Sequence, residues 1–154
     1  MRRGTIIDVV AVAALGLAAG AMLTEGALLA PYWRTLPTQE FLAWYAANAS
    51  RLVAFYGPLE VFAAVATALA ASTAAYHRRP ARDLLLVATA CAVAVLVAFP
   101  LYFRDANAAF AAGSIDAERV PQELGRWARY HWIRTGIGVI GFAAAVLAVC
   151  RSED

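Results

Sequence analysis

The amino-acid sequence predicts an all-α fold: an integral membrane four-helix bundle with short interfacial helices in its two longer loops. Three observations carry this. Of 154 residues, 62% are hydrophobic and 16% charged, and the mean hydropathy of +0.62 lies well to the apolar side of a soluble domain. The apolar residues gather into four runs, 6–29, 52–76, 84–102 and 132–150, each near the roughly 20 residues that a spanning helix needs. The polar residues fall mainly between the runs or at their ends. The whole chain, 1–154, therefore reads as a single transmembrane domain.

The first run follows Met1-Arg2-Arg3 and is longer than the roughly 7–15 apolar residues of a signal sequence, so it reads as a retained helix. Gly16 and Gly20 recur at helical spacing within it and suit close helix approach. Glu25 and Pro31 close it. In the connection 30–51, Thr38 after Pro37 is an N-cap candidate with Glu40 in the first turn. Phe41, Trp44, Tyr45 and Asn48 then share one face, predicting a helix that lies on the membrane surface. Tyr56, Pro58 and Glu60 open the second run. A tight basic connection, 77–83, leads to the third, which ends in Pro100, Tyr102, Arg104, Asp105 and Asn107. In 103–131, Pro121 suits a first helical position and Glu123 the positive helix end. That helix is expected to continue through Trp127 and His131 into the fourth run, where Gly138, Gly141 and Ala145 extend the His131/Arg134 face as a packing seam.

Charge and cysteine usage exclude several classes. A net charge of +2 does not suggest nucleic acid as a partner. All basic residues are arginine, which reads as a matter of genome composition. Cys91 and Cys150 lie in apolar runs without metal-ligand spacing and read as small hydrophobes. No phosphate loop, nucleophile elbow or dinucleotide fingerprint occurs. Partners are then the lipid bilayer and a hydrophobic small molecule, and a homo-oligomer stays open. Four spans put both termini on the side of the 77–83 loop. That side carries arginines 2, 3, 78, 79, 82 and 151, against 34, 51, 104, 119, 126, 129 and 134 opposite. The count does not decide, but the former lie in very short segments where the positive-inside rule acts best. Both termini are expected in the cytoplasm, with the protein in a bacterial plasma membrane.

An up-down bundle brings Glu25, Tyr56, Glu60, Tyr102, Asn107, Trp127, His131 and Arg134 to one membrane face. Charge on a membrane-entering helix is costly unless it meets partners or water. Glu60 lies about two turns into its span and Arg134 is its expected bidentate partner. One reading is a structural clamp or an interfacial belt in which arginine snorkels to lipid. The other is a polar pocket containing His131 and rimmed by Tyr32, Trp33, Phe55, Tyr56, Tyr102, Phe103 and Trp127. A metal held by His131, Glu60 and Glu25 is a third option, without the usual ligand spacing.

These residues resemble the anthrone oxygenase-like family of small four-helix membrane proteins. The resemblance covers essentially the whole chain. It rests on the Gly-rich first span ending in Pro31-Tyr32-Trp33, on Pro58-Leu59-Glu60, on Pro100 with Asn107, and most specifically on Arg126-Trp127-xxx-His131-xx-Arg134. In characterised fungal relatives it implies oxidation of an anthrone, a polyketide-type aromatic, to an anthraquinone by molecular oxygen. No cofactor is expected, because the deprotonated substrate reacts with oxygen itself. The resemblance thus implies a membrane-embedded monooxygenase with His131, Arg134 and Glu60 catalytic. Trp127, Tyr56, Asn107, Tyr102, Trp33 and Glu25 would bind substrate. The alternatives are a non-catalytic accessory or small-molecule-binding protein, and a metal-dependent membrane oxidase.

Overall fold

The computed structural model describes residues 3–151, and side chains from residue 6 onward. Arg2 lies outside the described residues, and so does the side chain of Arg3. The helices are α1 (Arg3–Thr24), α2 (Ala30–Thr35), α3 (Thr38–Tyr76), α4 (Arg82–Ala98), α5 (Arg104–Ala112) and α6 (Val120–Cys150). One five-residue π-helical turn, Glu25–Leu29, joins α1 to α2, and another, Phe99–Phe103, joins α4 to α5. With these joints the chain forms four continuous rods, Ile6–Thr35, Thr38–Tyr76, Arg82–Ala112 and Ala117–Cys150, each long and apolar enough to cross a bilayer. Successive rods are neighbours: α1 packs on α3, α3 on α4, α4 on α6 and α6 on α1, leaving α1 and α4 on a diagonal.

The interfacial helices expected as separate pieces are instead ends of the rods. Residues 38–48 form the first turns of α3, without a break before the second span. Phe41 and Tyr45 are buried, so the expected lipid-facing side of this segment packs on other helices. Thr38 is the first helical residue rather than the cap. Pro37 holds the cap position, its carbonyl accepting from the Phe41 amide at 3.0 Å. The α6 segment from Pro121 through His131 is continuous with the fourth span, as its periodicity predicts.

The core has two chemically distinct halves. Towards the α3–α4 turn it is almost all alanine, including Ala11, Ala14, Ala70, Ala74, Ala88, Ala145 and Ala148. Small side chains let helices approach where lipid provides no hydrophobic drive. Gly138 and Gly141 extend that seam: a Cβ on Gly141 would stand 2.8 Å from Cys91 Cβ and 3.4 Å from the Ala88 carbonyl. In α1 only half of the expected seam exists, because Gly16 meets Phe142 while Gly20 faces open space. The opposite half is aromatic, with Trp33, Phe41, Tyr45, Phe103, Phe110 and Trp127 buried against one another.

Each end of the bundle is closed differently. At the aromatic end Gly113 has φ 60°, and its amide and that of Ser114 bond back to Phe110 and Ala109, an αL C-cap that stops α5. At the alanine end Arg78 occupies the same left-handed region (φ 51°), and the next residue, Arg79, turns onto Asp8. Asp8 is 1% exposed. Arg79 Nη1 donates to Asp8 Oδ1 at 3.2 Å and Nη2 to Oδ2, so the pair is bidentate. Hydrogen bonding to Asp8 holds the Arg79 guanidinium above its ordinary pKa. The ion pair ties α1 to the short loop, a clamp at the end where the sequence shows only scattered charges.

Candidate functional site

Where the alanine core meets the aromatic core, four ionisable side chains are buried together: Glu25, Glu60, His131 and Arg134. Each is placed by a local feature of its helix. Glu25 opens the first π-turn, in which the Ala30 amide reaches back five residues to the Glu25 carbonyl. Pro31 follows, and its missing N–H leaves one backbone position without an ordinary α-helical bond. The second π-turn has the same composition cue: Pro100 lies inside it, and the Arg104 amide reaches back to Phe99. Such wide turns insert an extra residue and re-aim the side chains around them, a device frequent at functional sites. Glu60 stands just after Pro58 within α3. His131 and Arg134 occupy one face of α6, three residues apart.

His131 is fully enclosed. Its ring stacks on Trp127, with centroids 4.8 Å apart and planes 7° apart, and meets the edge of Phe103 at 6.4 Å. Gly26 makes this approach feasible, since a Cβ there would lie 3.1 Å from His131 Cδ2 and 3.2 Å from Trp132. His131 Nε2 donates to the Met22 carbonyl at 2.8 Å, which places the proton on that nitrogen. Nδ1 then carries the lone pair, has no hydrogen-bond partner, and faces Glu25 Oε2 at 3.6 Å.

Arg134 lies between two carboxylates. Nη2 is 3.8 Å from Glu25 Oε2 and Nη1 is 3.5 Å from Glu60 Oε1, both longer than the 2.7–2.9 Å typical of a charge-assisted bond. Arg134 thus pairs with Glu60, as the sequence leads one to expect, but through one contact and not bidentately: the guanidinium is shared with Glu25, and Glu25, not Glu60, is the acid facing His131. The guanidinium carbon also sits 4.5 Å above the Phe103 ring. Arg134 Nε, Glu60 Oε1 and His131 Nδ1 are buried without a hydrogen-bond partner.

Glu25, Glu60 and Arg134 form the floor of a cavity of about 210 Å³. Its walls come from α3 between Ala49 and Val61 and from the third rod between Leu96 and Asn107. Seven residues singled out from the sequence line it: Glu25, Tyr56, Glu60, Phe103, Asn107, Trp127 and Arg134. Asn107 Oδ1 accepts from Trp127 Nε1 at 2.8 Å, fixing the indole against the cavity. Val53 and Val61, each about half exposed on the outer surface of α3, stand at the mouth. The two exposed side chains that line the cavity are thus apolar and lie on the flank of α3.

Three residues expected in the site lie elsewhere. His131 is behind Glu25 and Trp127 and does not line the cavity. Trp33 is 1% exposed and packs against Phe41, Trp44, Tyr45 and Trp127, backing the wall without reaching the space. Tyr102 donates to Glu123 Oε1 at 2.8 Å in a separate surface groove of about 400 Å³ between α5 and α6. Of the remaining expected rim, Phe103 lines the cavity, while Tyr32 and Phe55 are exposed on the outside. Tyr45, Phe99 and Leu96 are lining residues that sequence reasoning missed. The signal for Phe99 was Pro100 beside it in an apolar run, as Pro31 follows the turn that Glu25 opens. Among the described residues, no three His, Cys, Asp or Glu side chains converge as metal ligands would. The Arg134 guanidinium stands between Glu25 and Glu60, where a bridging cation would have to sit.

No protein-family model matches the chain, and no similar protein was found among curated proteins or among solved structures.

Proposed function

We propose that the chain is a membrane-embedded oxygenase of the anthrone oxygenase-like kind, acting on a flat, hydrophobic aromatic substrate that enters the cavity from lipid. One observation supports this above the rest. The polar floor is under-satisfied while its walls are aromatic and its mouth is apolar. A buried polar atom without a partner costs about 1–3 kcal/mol, so a clamp whose only task was structural would close its pairs to hydrogen-bond distance. Here an arginine and two carboxylates stay short of such contact beside free volume, with a bare imidazole nitrogen behind Glu25.

The proposed chemistry uses those groups and needs no cofactor. Glu25 takes a proton from the acidic methylene of the substrate, and His131 Nδ1, behind it, can receive that proton in turn. Arg134 holds the oxygen on which the negative charge develops, and Trp127 and Phe103 face the rings. The carbanion carbon then bonds to molecular oxygen, giving a peroxide. Loss of the second methylene hydrogen with cleavage of the O–O bond yields the ketone. In balance, CH2 and O2 become C=O and H2O, a four-electron oxidation of carbon matched by four-electron reduction of oxygen. His131 thus acts through Glu25. The site sits towards the non-cytoplasmic face of a bacterial plasma membrane, with both termini cytoplasmic, as supported by the arginines of the short 77–83 loop.

The test is oxygen uptake with anthrone by the purified chain in nanodiscs. Turnover should fall about 10²–10³-fold in Arg134→Lys, because an ammonium cannot serve two carboxylates and an oxyanion together. The full enclosure of His131 favours a second reading, a binding protein without chemistry. Under it, anthrone binds but the parent protein consumes no oxygen.

A further inference from the structure

Outside the cavity, a groove of about 420 Å³ lies between α2 and the first turns of α6, and three arginines line it: Arg34, Arg126 and Arg129. We infer that this groove is a binding site for an anionic phosphate group, occupied in the membrane by the headgroup of an anionic phospholipid.

The groove is built rather than incidental. Gly125 forms part of its wall, and Arg34 Nη2 lies 3.6 Å from where a Cβ on Gly125 would stand, in ordinary contact, so a longer side chain there would meet the guanidinium. Pro121 and Gln122 add the positive end of the 31-residue α6. Among the described residues no carboxylate lines the groove. The acid nearest in sequence, Glu123, is 3.3 Å from Arg126 Nη1 and so neutralises part of that one charge. Arg34 and Arg129 make no ion pair within 4 Å among the described residues.

Depth selects the source of the phosphate. Tyr130 and Trp132, beside Arg129 in sequence, are nearly half exposed, as aromatic side chains at headgroup level are. Arginines that merely snorkel one by one would need no shared groove. A guanidinium cluster recognises phosphate through its planar fork of donors. The site is independent of the chemistry proposed for the cavity.

The experiment titrates short-chain phosphatidylglycerol, phosphatidylcholine and inorganic phosphate into the full chain held in an uncharged detergent. Phosphatidylglycerol should bind at least about tenfold more tightly than phosphatidylcholine, each nearby arginine contributing about fivefold. Arg34→Gln with Arg129→Gln should weaken it roughly 30-fold. Gly125→Leu, which fills the groove without changing charge, should weaken it comparably. Arg82→Gln with Arg151→Gln, an equal loss of charge at the other end, should leave it unchanged. Competition by millimolar inorganic phosphate would uphold the anion site and make its occupant soluble. Equal weakening in the two double variants, or full binding by Gly125→Leu, would overturn the site, since net charge alone would then be responsible. Helicity and elution volume of each variant identify any that fail to fold.

Discussion

His131 Nδ1 and Glu25 Oε2 face one another across 3.6 Å, while the other ring nitrogen is committed to the Met22 carbonyl at 2.8 Å. With the proton on Nε2, both facing atoms are acceptors when Glu25 is ionised, and a proton on Glu25 turns that opposition into an O–H directed at Nδ1. This relationship separates folding from chemistry. Glu25→Gln brings an amide N–H that can donate to Nδ1, and its melting temperature in detergent should correspond to a loss within about 1 kcal/mol. Its oxygen uptake with anthrone should nonetheless fall by about 10²–10⁴, because an amide cannot accept the substrate proton. Equal activity in Glu25→Gln and parent would remove Glu25 as the base.

A second prediction concerns the opposite end of the bundle. Asp8→Ala removes the buried bidentate acceptor of Arg79, whose side chain is 18% exposed. The expected loss is about 2–4 kcal/mol, at the lower end of the range for breaking a buried pair because Arg79 keeps some water. Asp83→Ala breaks an exposed pair with Arg82 at 2.9 Å and should change stability by no more than about 0.5 kcal/mol. Detergent melting of the two variants decides, and equal values would mean that the Asp8 pair holds nothing together.

Glycine to alanine changes read the packing seams directly. Gly141→Ala must push a methyl against Cys91 Cβ and the backbone of α4, neither of which is a flexible side-chain end, and should cost about 1–3 kcal/mol. Gly20→Ala meets nothing within 4 Å and should gain about 0.5–1 kcal/mol from the lower entropy of alanine in a helix. A destabilised Gly20→Ala would show that a second chain packs on that face, and the elution volume of the parent protein would report it.

Much of this arrangement is legible in the sequence, and the rest escapes for identifiable reasons. Four apolar runs define four rods, and polar residues near the run ends place Glu25, Glu60, Trp127 and Arg134 at one level, because an up-down bundle admits few alternatives. Pairing within that level is legible only in part. Glu60 and Arg134 have matching depth, but depth cannot tell which acid faces His131; that depends on the π-turn at Glu25–Leu29, which rotates Glu25 inward. The polar clamp of Asp8 and Arg79 is hidden for a similar reason, since it depends on the left-handed turn at Arg78, a conformation that favours glycine and that nothing in the sequence flags. Residues 38–48 read as a surface helix because Phe41 and Tyr45 share a face. The same face serves equally well against Phe110, which packs on both rings at 5.1 and 5.5 Å.

The last prediction tests the sideways route into the cavity. Val53 and Val61 stand at its mouth on the outer surface of α3, 55% and 50% exposed, and Val65, one turn beyond Val61 and 52% exposed, does not line it. All three should tolerate tryptophan on their exposed sides, so Val53→Trp, Val61→Trp and Val65→Trp should melt within about 0.5 kcal/mol of the parent, as surface changes usually do. An indole at position 53 or 61 covers the opening, whereas one at position 65 leaves it clear. Anthrone binding and turnover in nanodiscs should therefore fall at least about tenfold in the first two variants and stay at the parent level in the third. That drop corresponds to about 1.4 kcal/mol, modest for a blocked entrance. If all three behave like the parent, the ligand reaches Arg134 along the bundle axis instead, past Asn107 and Tyr45, and Asn107→Trp becomes the blocking substitution.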